Sequence, residues 1–286
     1  MTADDSYQDF RQGASLTLST PITRNMRVFT TIRDETVQAT YIPLQDGADQ
    51  ASTSLGSRET RSVTLGLTRD TRRYRTSLFD PIGGGEDLIS FEHSGGLLGG
   101  RNAFRKFTVE SSRFYPSFWK FILALHLRAS YLQDRSGVNP IYLFYERFWL
   151  GGIDTVRGYP DYSILPYQAG TKRIKEVDLP VPPTIGGNKM FYLNAEYRFP
   201  IHSMVRGLVF LDAGQVWNEG TPNPLKAFDP MVSVGIGVRL EIVAGFLLRL
   251  EWGVPLRALP VYNTSTGTIE RRSFGPRLHF SMGPSF

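Results

Sequence analysis

From Phe121 to the end of the chain, apolar residues recur at every second position over long segments. In Phe191–Phe199 one set is Phe191, Leu193, Ala195, Tyr197 and Phe199, and the other is Tyr192, Asn194, Glu196 and Arg198. Val232, Val234, Ile236, Val238, Leu240 and Ile242 alternate with Ser233, Gly235, Gly237, Arg239 and Glu241. Phe246, Leu248, Leu250, Trp252 and Val254 oppose Arg249, Glu251 and Gly253, and Leu278, Phe280, Met282 and Phe286 oppose His279, Ser281, Gly283 and Ser285. Earlier, Phe121, Leu123, Leu125, Leu127, Ala129 and Tyr131 face away from His126, Arg128 and Ser130. A period of two is the mark of a strand with two unlike faces. A helix would scatter these charges around its whole surface. The pattern predicts strands near 13–20, 27–42, 60–70, 86–94, 102–115, 119–133, 189–200, 205–217, 230–242, 245–255 and 275–286, with residues 1–12 holding part of another.

A soluble β-sandwich also alternates. Three features favour a transmembrane antiparallel β-barrel. The segments have the length of tilted membrane strands. Short turns (116–118, 200–204, 243–245) alternate with long connections (43–59, 134–188, 218–229, 256–273), as periplasmic turns and outside loops do. The polar face mixes Arg, Glu, His and Gly, which suits a wet lumen. An Arg at lipid-facing Leu193, Val234 or Leu250 is then penalised, while Asn194, Ser233 and Gly235 carry no lipid penalty. About eleven or twelve strands suggest part of a 16-stranded barrel, because single-chain bacterial barrels have even counts.

Composition changes this picture little. Mean hydropathy is −0.20 and 21% of residues are charged, which a barrel tolerates because only alternate residues meet lipid. Aromatic residues make up 13%, material for interfacial girdles. No run approaches the roughly 18 apolar residues of a spanning helix. The absence of cysteine excludes disulfides and thiolate chemistry. The net charge of +5 is spread through the strands (Arg128, Arg198, Arg239, Arg249) rather than massed, so nucleic acid is not an expected partner. Met1–Asp5 lacks a signal peptide. The expectation is therefore one N-terminally truncated barrel domain over residues 1–286, with no linker or repeat.

The longest connection contains Glu146-Arg147-Phe148-Trp149-Leu150-Gly151-Gly152-Ile153-Asp154-Thr155-Val156-Arg157-Gly158-Tyr159. Its paired glycines and apolar run suit a loop that packs on something. Taken alone, Arg157 reads as a solvated loop charge. The Gly151-Gly152 … Val156-Arg157-Gly158-Tyr159 motif resembles the hallmark of the BamA superfamily of outer-membrane assembly and secretion barrels. Asp70-Thr71-Arg72 with Pro81 and Gly83-Gly84-Gly85, then Glu196-Tyr197-Arg198-Phe199-Pro200, Phe210-Leu211-Asp212-Ala213-Gly214, Gly235-Ile236-Gly237 and the terminal Phe286 follow in the same order. The resemblance covers roughly residues 60–286. It implies that the loop folds into the lumen and plants Arg157 on the inner wall. Parity places Glu196, Phe210 and Asp212 on that wall. It also implies a weak closing seam, which Gly283 fits and to which Pro284, lacking an N–H, is a local addition.

Enzymatic readings find little. His93, His126, His202 and His279 have no metal-ligand spacing, no Gly-x-Ser-x-Gly occurs, and the glycines at 83–85 lack a following Lys-Ser/Thr. Glu110, Glu196, Asp212 and Glu251 read as partners of luminal arginines rather than a catalytic pair. No metal or cofactor is expected. The resemblance implies an assembly factor for outer-membrane proteins, with lipid, unfolded clients and periplasmic chaperones or lipoprotein subunits as partners. A pore exporting one passenger protein is the alternative within the family. A passive channel is the alternative outside it. Periplasmic POTRA domains, absent from these residues, would separate the first two by their number.

Overall fold

The computed structural model describes residues 6–42, 53–74, 81–137, 140–166, 186–218, 228–242, 246–263 and 268–283. Eleven strands form one antiparallel sheet: β1 (Ser6–Thr23), β2 (Met26–Ile42), β3 (Thr53–Asp70), β4 (Gly84–Ser94), β5 (Phe104–Pro116), β6 (Ile122–Asp134), β7 (Lys189–Pro200), β8 (Val205–Trp217), β9 (Met231–Ile242), β10 (Phe246–Pro255) and β13 (Arg277–Met282). Between the last two lies a separate hairpin of β11 (Leu259–Asn263) and β12 (Thr268–Arg272). Each strand of the sheet pairs with its neighbour in chain order, and β1 and β13 are its two edges. No described helix is long and apolar enough to cross a membrane. Crossing is the work of the strands, whose backbone groups the ladders satisfy.

The two faces follow the alternation. In β7, Tyr192, Asn194, Glu196 and Arg198 are buried, while Leu193, Ala195 and Tyr197 are not. Val209, Leu211, Ile236, Val238, Leu250 and Trp252 all lie exposed on the outer face, where lipid is the medium they fit. Arg at Leu193, Val234 or Leu250 should destabilise the folded protein by about 2–4 kcal/mol near the midplane, read as a lower urea midpoint in liposomes. Asn194, Ser233 and Gly235 are poor inward controls, a point parity could not show. Ser233 is fully buried, and a Cβ on Gly235 would come within 2.3 Å of the Phe210 ring. Thr64 and Ser90, inward on β3 and β4 and only partly buried, are the better controls. Equal losses from Arg at the outer sites and at Thr64 and Ser90 would sink the assignment of faces.

Three differences from the sequence expectation share one cause. Residues 6–12 extend β1 rather than forming a further strand, β3 begins at Thr53 rather than at 60, and β11–β12 form a hairpin inside what read as a plain connection. Arg11 pairs with Val37 and Arg58 with Val37, so these stretches continue the ladders. Strand ends of this length outrun the hydrocarbon layer, and there neither face has to be apolar. Alternation then vanishes while the hydrogen bonds persist.

Candidate functional site: a loop docked on the inner wall

The connection from β6 to β7 leaves at Arg135 and passes through a short turn of 3₁₀ helix at Pro140–Glu146. Bridges between Phe148 and Gly187, and between Leu150 and Ile164, fold its stem back on itself. The tip then turns sharply. Gly151, Gly152 and Gly158 have φ of 107°, 93° and 86°, a region that L side chains avoid. Thr155 braces the turn, its hydroxyl accepting from the Gly151 N–H at 2.8 Å and donating to the Gly151 carbonyl at 3.0 Å.

Val156 and Tyr159 are fully buried. Val156 and Leu150 sit over Gly214 of β8, where a Cβ would lie 2.8 and 2.9 Å from their methyl groups. The Tyr159 hydroxyl lies 3.0 Å from the Val232 carbonyl and 2.9 Å from that of Arg257. Between these two residues Arg157 points into the wall. Its Nε and Nη2 donate to both oxygens of Asp212 at 2.7 and 2.6 Å, and its backbone N–H adds a third bond at 3.0 Å. Nη1 donates to Glu196 at 2.7 Å and to Glu251 at 3.0 Å. The ring of Phe210 lies beneath the guanidinium, 3.7 Å from centroid to Cζ. That distance is a close cation–π contact.

The wall adds more arginines. Arg239 bridges Glu196 and Glu251 at 2.6 and 2.8 Å. Arg198 pairs with Glu196 at 2.7 Å. Arg249 reaches Glu251 at 3.4 Å and Asp154 of the loop at 2.8 Å. Buried charges persist only when paired and hydrogen-bonded, and here four arginines are shared among three buried carboxylates and Asp154. Burial alone would lower the pKa of Arg157, but Asp212, Glu196 and Glu251 outweigh it and hold the pKa well above its ordinary value.

The backbone also touches the wall. A Cβ on Gly158 would meet the Gly253 carbonyl carbon at 2.9 Å, and one on Gly253 would meet the Gly158 nitrogen at 2.5 Å. The Gly158 N–H donates to His279 Nε2 of β13 at 2.8 Å, so that nitrogen carries no proton in this arrangement.

Of the residues singled out in the sequence, the structure brings together Gly151, Gly152, Val156, Arg157, Gly158 and Tyr159 with Glu196, Phe210 and Asp212. Glu251, Arg239, Gly253 and His279 join them without having been singled out for the contact. All four carry the inward parity of their strands, which was the available signal. Gly283 stands apart. It has φ of 139°, and a Cβ there would meet nothing within 4 Å. Its N–H donates to the Leu247 carbonyl at 2.9 Å. Pro284 and Phe286 lie outside the described residues. No group of three potential metal ligands occurs among the described residues. The arrangement offers docking and charge neutralisation.

The description "Omp85 superfamily domain" matches residues 2–286. The chain is 30% identical over 254 residues to the outer membrane protein assembly factor BamA of Nitratidesulfovibrio vulgaris, covering 85% of this chain and 28% of that protein. Among solved structures it is similar to BamA from Haemophilus ducreyi lacking POTRA domains 1–3, with a TM-score of 0.66 at 20% identity over 96% of this chain and 55% of that one. It is also similar to CdiB from Acinetobacter baumannii, with a TM-score of 0.57 at 16% identity over 97% of this chain and 42% of that one. The chain thus spans about a quarter of its curated relative and about half of each solved one, and the structural likenesses speak to fold.

Proposed function

The chain belongs to the Omp85 superfamily, and from that premise we propose that this outer-membrane β-barrel wall serves a factor that inserts other barrel proteins into the membrane. The observation that carries the reading is the state of β13. Among the described residues it pairs with β10 over six positions, from Leu248↔Met282 to Gly253↔Arg277, whereas β9 and β10 pair over ten. Its outer face presents Leu278, Phe280 and Met282, each exposed by 60% or more. A strand held by so short a ladder can exchange its backbone bonds with an incoming strand. The mechanism needs no covalent step. A client hairpin adds to the β13 edge, exchanges ladder bonds with it, and leaves as its own barrel closes. The docked loop keeps β13 placed through His279 while this happens.

The likeness to an assembly factor at 30% identity supports insertion over export. A passive channel fits poorly, because the loop tip occupies the inner wall. The test uses the full-length protein in liposomes with a urea-unfolded eight-stranded barrel protein as client. A photo-crosslinker at Phe280 should capture the client, and client folding, read by gel mobility without boiling, should accelerate. Transfer of a passenger across the bilayer with no effect on client folding would replace this reading with secretion. Solute leakage alone would replace it with a channel.

A further inference from the structure

The loop makes a second buried contact, on the stretch of wall formed by β2 to β5. Phe144 and Tyr145 pack against Val37 and Ala39 of β2. The Tyr145 hydroxyl accepts from Asn102 Nδ2 at 2.5 Å. Asn102, fully buried, also donates to Thr60 at 2.7 Å and accepts from Arg58 at 2.8 Å. Beside them Glu146, 4% exposed, accepts from Arg33 of β2 at 3.0 Å and from Lys106 of β5. Arg33 is held in turn by Glu92 of β4 at 2.7 Å, and Ser62 of β3 donates to Glu92 at 2.6 Å. Four neighbouring strands thus contribute to one seat for a single loop carboxylate.

We propose that Glu146 is a second positioning residue for the loop, that residues 146–157 form a strap fixed at both ends across the lumen, and that the Glu146 end is the one that releases. The inference rests on loop geometry and stands whether the protein inserts or exports its clients. The two ends differ in kind. Arg157 makes five hydrogen bonds to three carboxylates, in a site where its side chain is 1% exposed and those of Glu196, Asp212 and Glu251 are at 0%. Glu146 makes one contact to each of two cations whose side chains are 21% and 19% exposed. Water and salt reach the two cations, though not the buried Glu146 carboxylate, and weaken the pairs from that side. A force or a client that loosens the strap therefore separates Glu146 first and leaves the tip seated. The stem next to it holds the reporter. Arg147 Nη1 donates to the Gly186 carbonyl at 3.2 Å and to Asn218 at 2.8 Å, so Arg147 is covered only while the stem stays folded.

Brief trypsin treatment of the full-length protein in detergent reads the two ends separately, because cleavage tracks the open population when reclosing is fast. Glu146→Gln should raise cleavage after Arg147 about tenfold while Arg157 stays protected. Lys106→Gln, which leaves the loop untouched, should act in the same direction and guards against a Glu146 variant that fails to fold. Lys106→Gln in the Glu146→Gln background should add less than it does alone, which loss of packing at two independent sites would not do. Unchanged cleavage in both single variants would overturn the proposal. So would simultaneous exposure of Arg147 and Arg157, which would mean that the loop moves as one body, and so would fully additive effects of the two substitutions.

Discussion

Replacing Arg157 with leucine should destabilise the folded protein by about 3–5 kcal/mol, the cost of leaving a buried partner uncompensated. The loss falls unevenly on the three carboxylates. Glu196 keeps Arg198 and Arg239, and Glu251 keeps Arg239 and Arg249. Asp212 keeps the Asn194 amide, at 2.8 Å, and the backbone N–H of residue 157, at 3.0 Å, neither of them a cation. A double-mutant cycle of Arg157 with Asp212 should therefore show coupling of about 1–3 kcal/mol, and the cycle with Glu251 clearly less. Arg157→Lys should fall between, because it keeps the charge but loses the fork that serves Asp212 with two parallel bonds. The temperature at which the compact band disappears from unheated gels, together with urea midpoints in liposomes, supplies both measurements. Additive losses for Arg157 and Asp212 would show that the loop is not held by this pair.

Gly253→Ala should displace the loop tip at a cost of about 1–3 kcal/mol, the usual penalty of overpacking. The added methyl would sit 2.5 Å from the Gly158 nitrogen, which is backbone and has no rotamer to change. The Gly158 bond to His279 would be lost with it. Gly158→Val adds a left-handed backbone to the same clash and should cost about 1–2 kcal/mol more. Gly283→Ala is the control for backbone strain without contact, since a Cβ there meets nothing within 4 Å. Trypsin cleavage after Arg157 reports the tip directly. A Gly253→Ala protein as protected as the unaltered chain would mean that the backbones do not stay in this contact.

These two glycines show where sequence reading stops. Alternation made the faces of β6, β7, β9 and β10 legible, because lipid on one side and lumen on the other impose opposite chemistry on consecutive residues. It said nothing of height along the barrel. Glu110 and Glu251 have the same inward parity, yet only Glu251 lies where Arg157 reaches. Which inward residues meet depends on the stagger accumulated from strand to strand, and no local pattern encodes it. Gly253 read as one more small inward residue for the same reason. Glu146 was harder still. It lies in a connection, where no period assigns a face, and its partners Arg33 and Lys106 are 113 and 40 residues away. The polar ends of β1 and β3 escaped because strands beyond the bilayer owe nothing to alternation.

The strap also changes the path by which one part of the wall senses another. Along the sheet, β2 and β13 are separated by nine successive strand pairings. Through the loop, Arg33 on β2 connects to Glu146, and twelve positions further on the Gly158 N–H connects to His279 on β13. Along these strands a displacement of β13 reaches β2 only after being shared among nine ladders. Across the lumen it meets one short segment, pinned at the tip by buried ion pairs. Mechanically, β2 is therefore closer to β13 than most of the strands that stand between them.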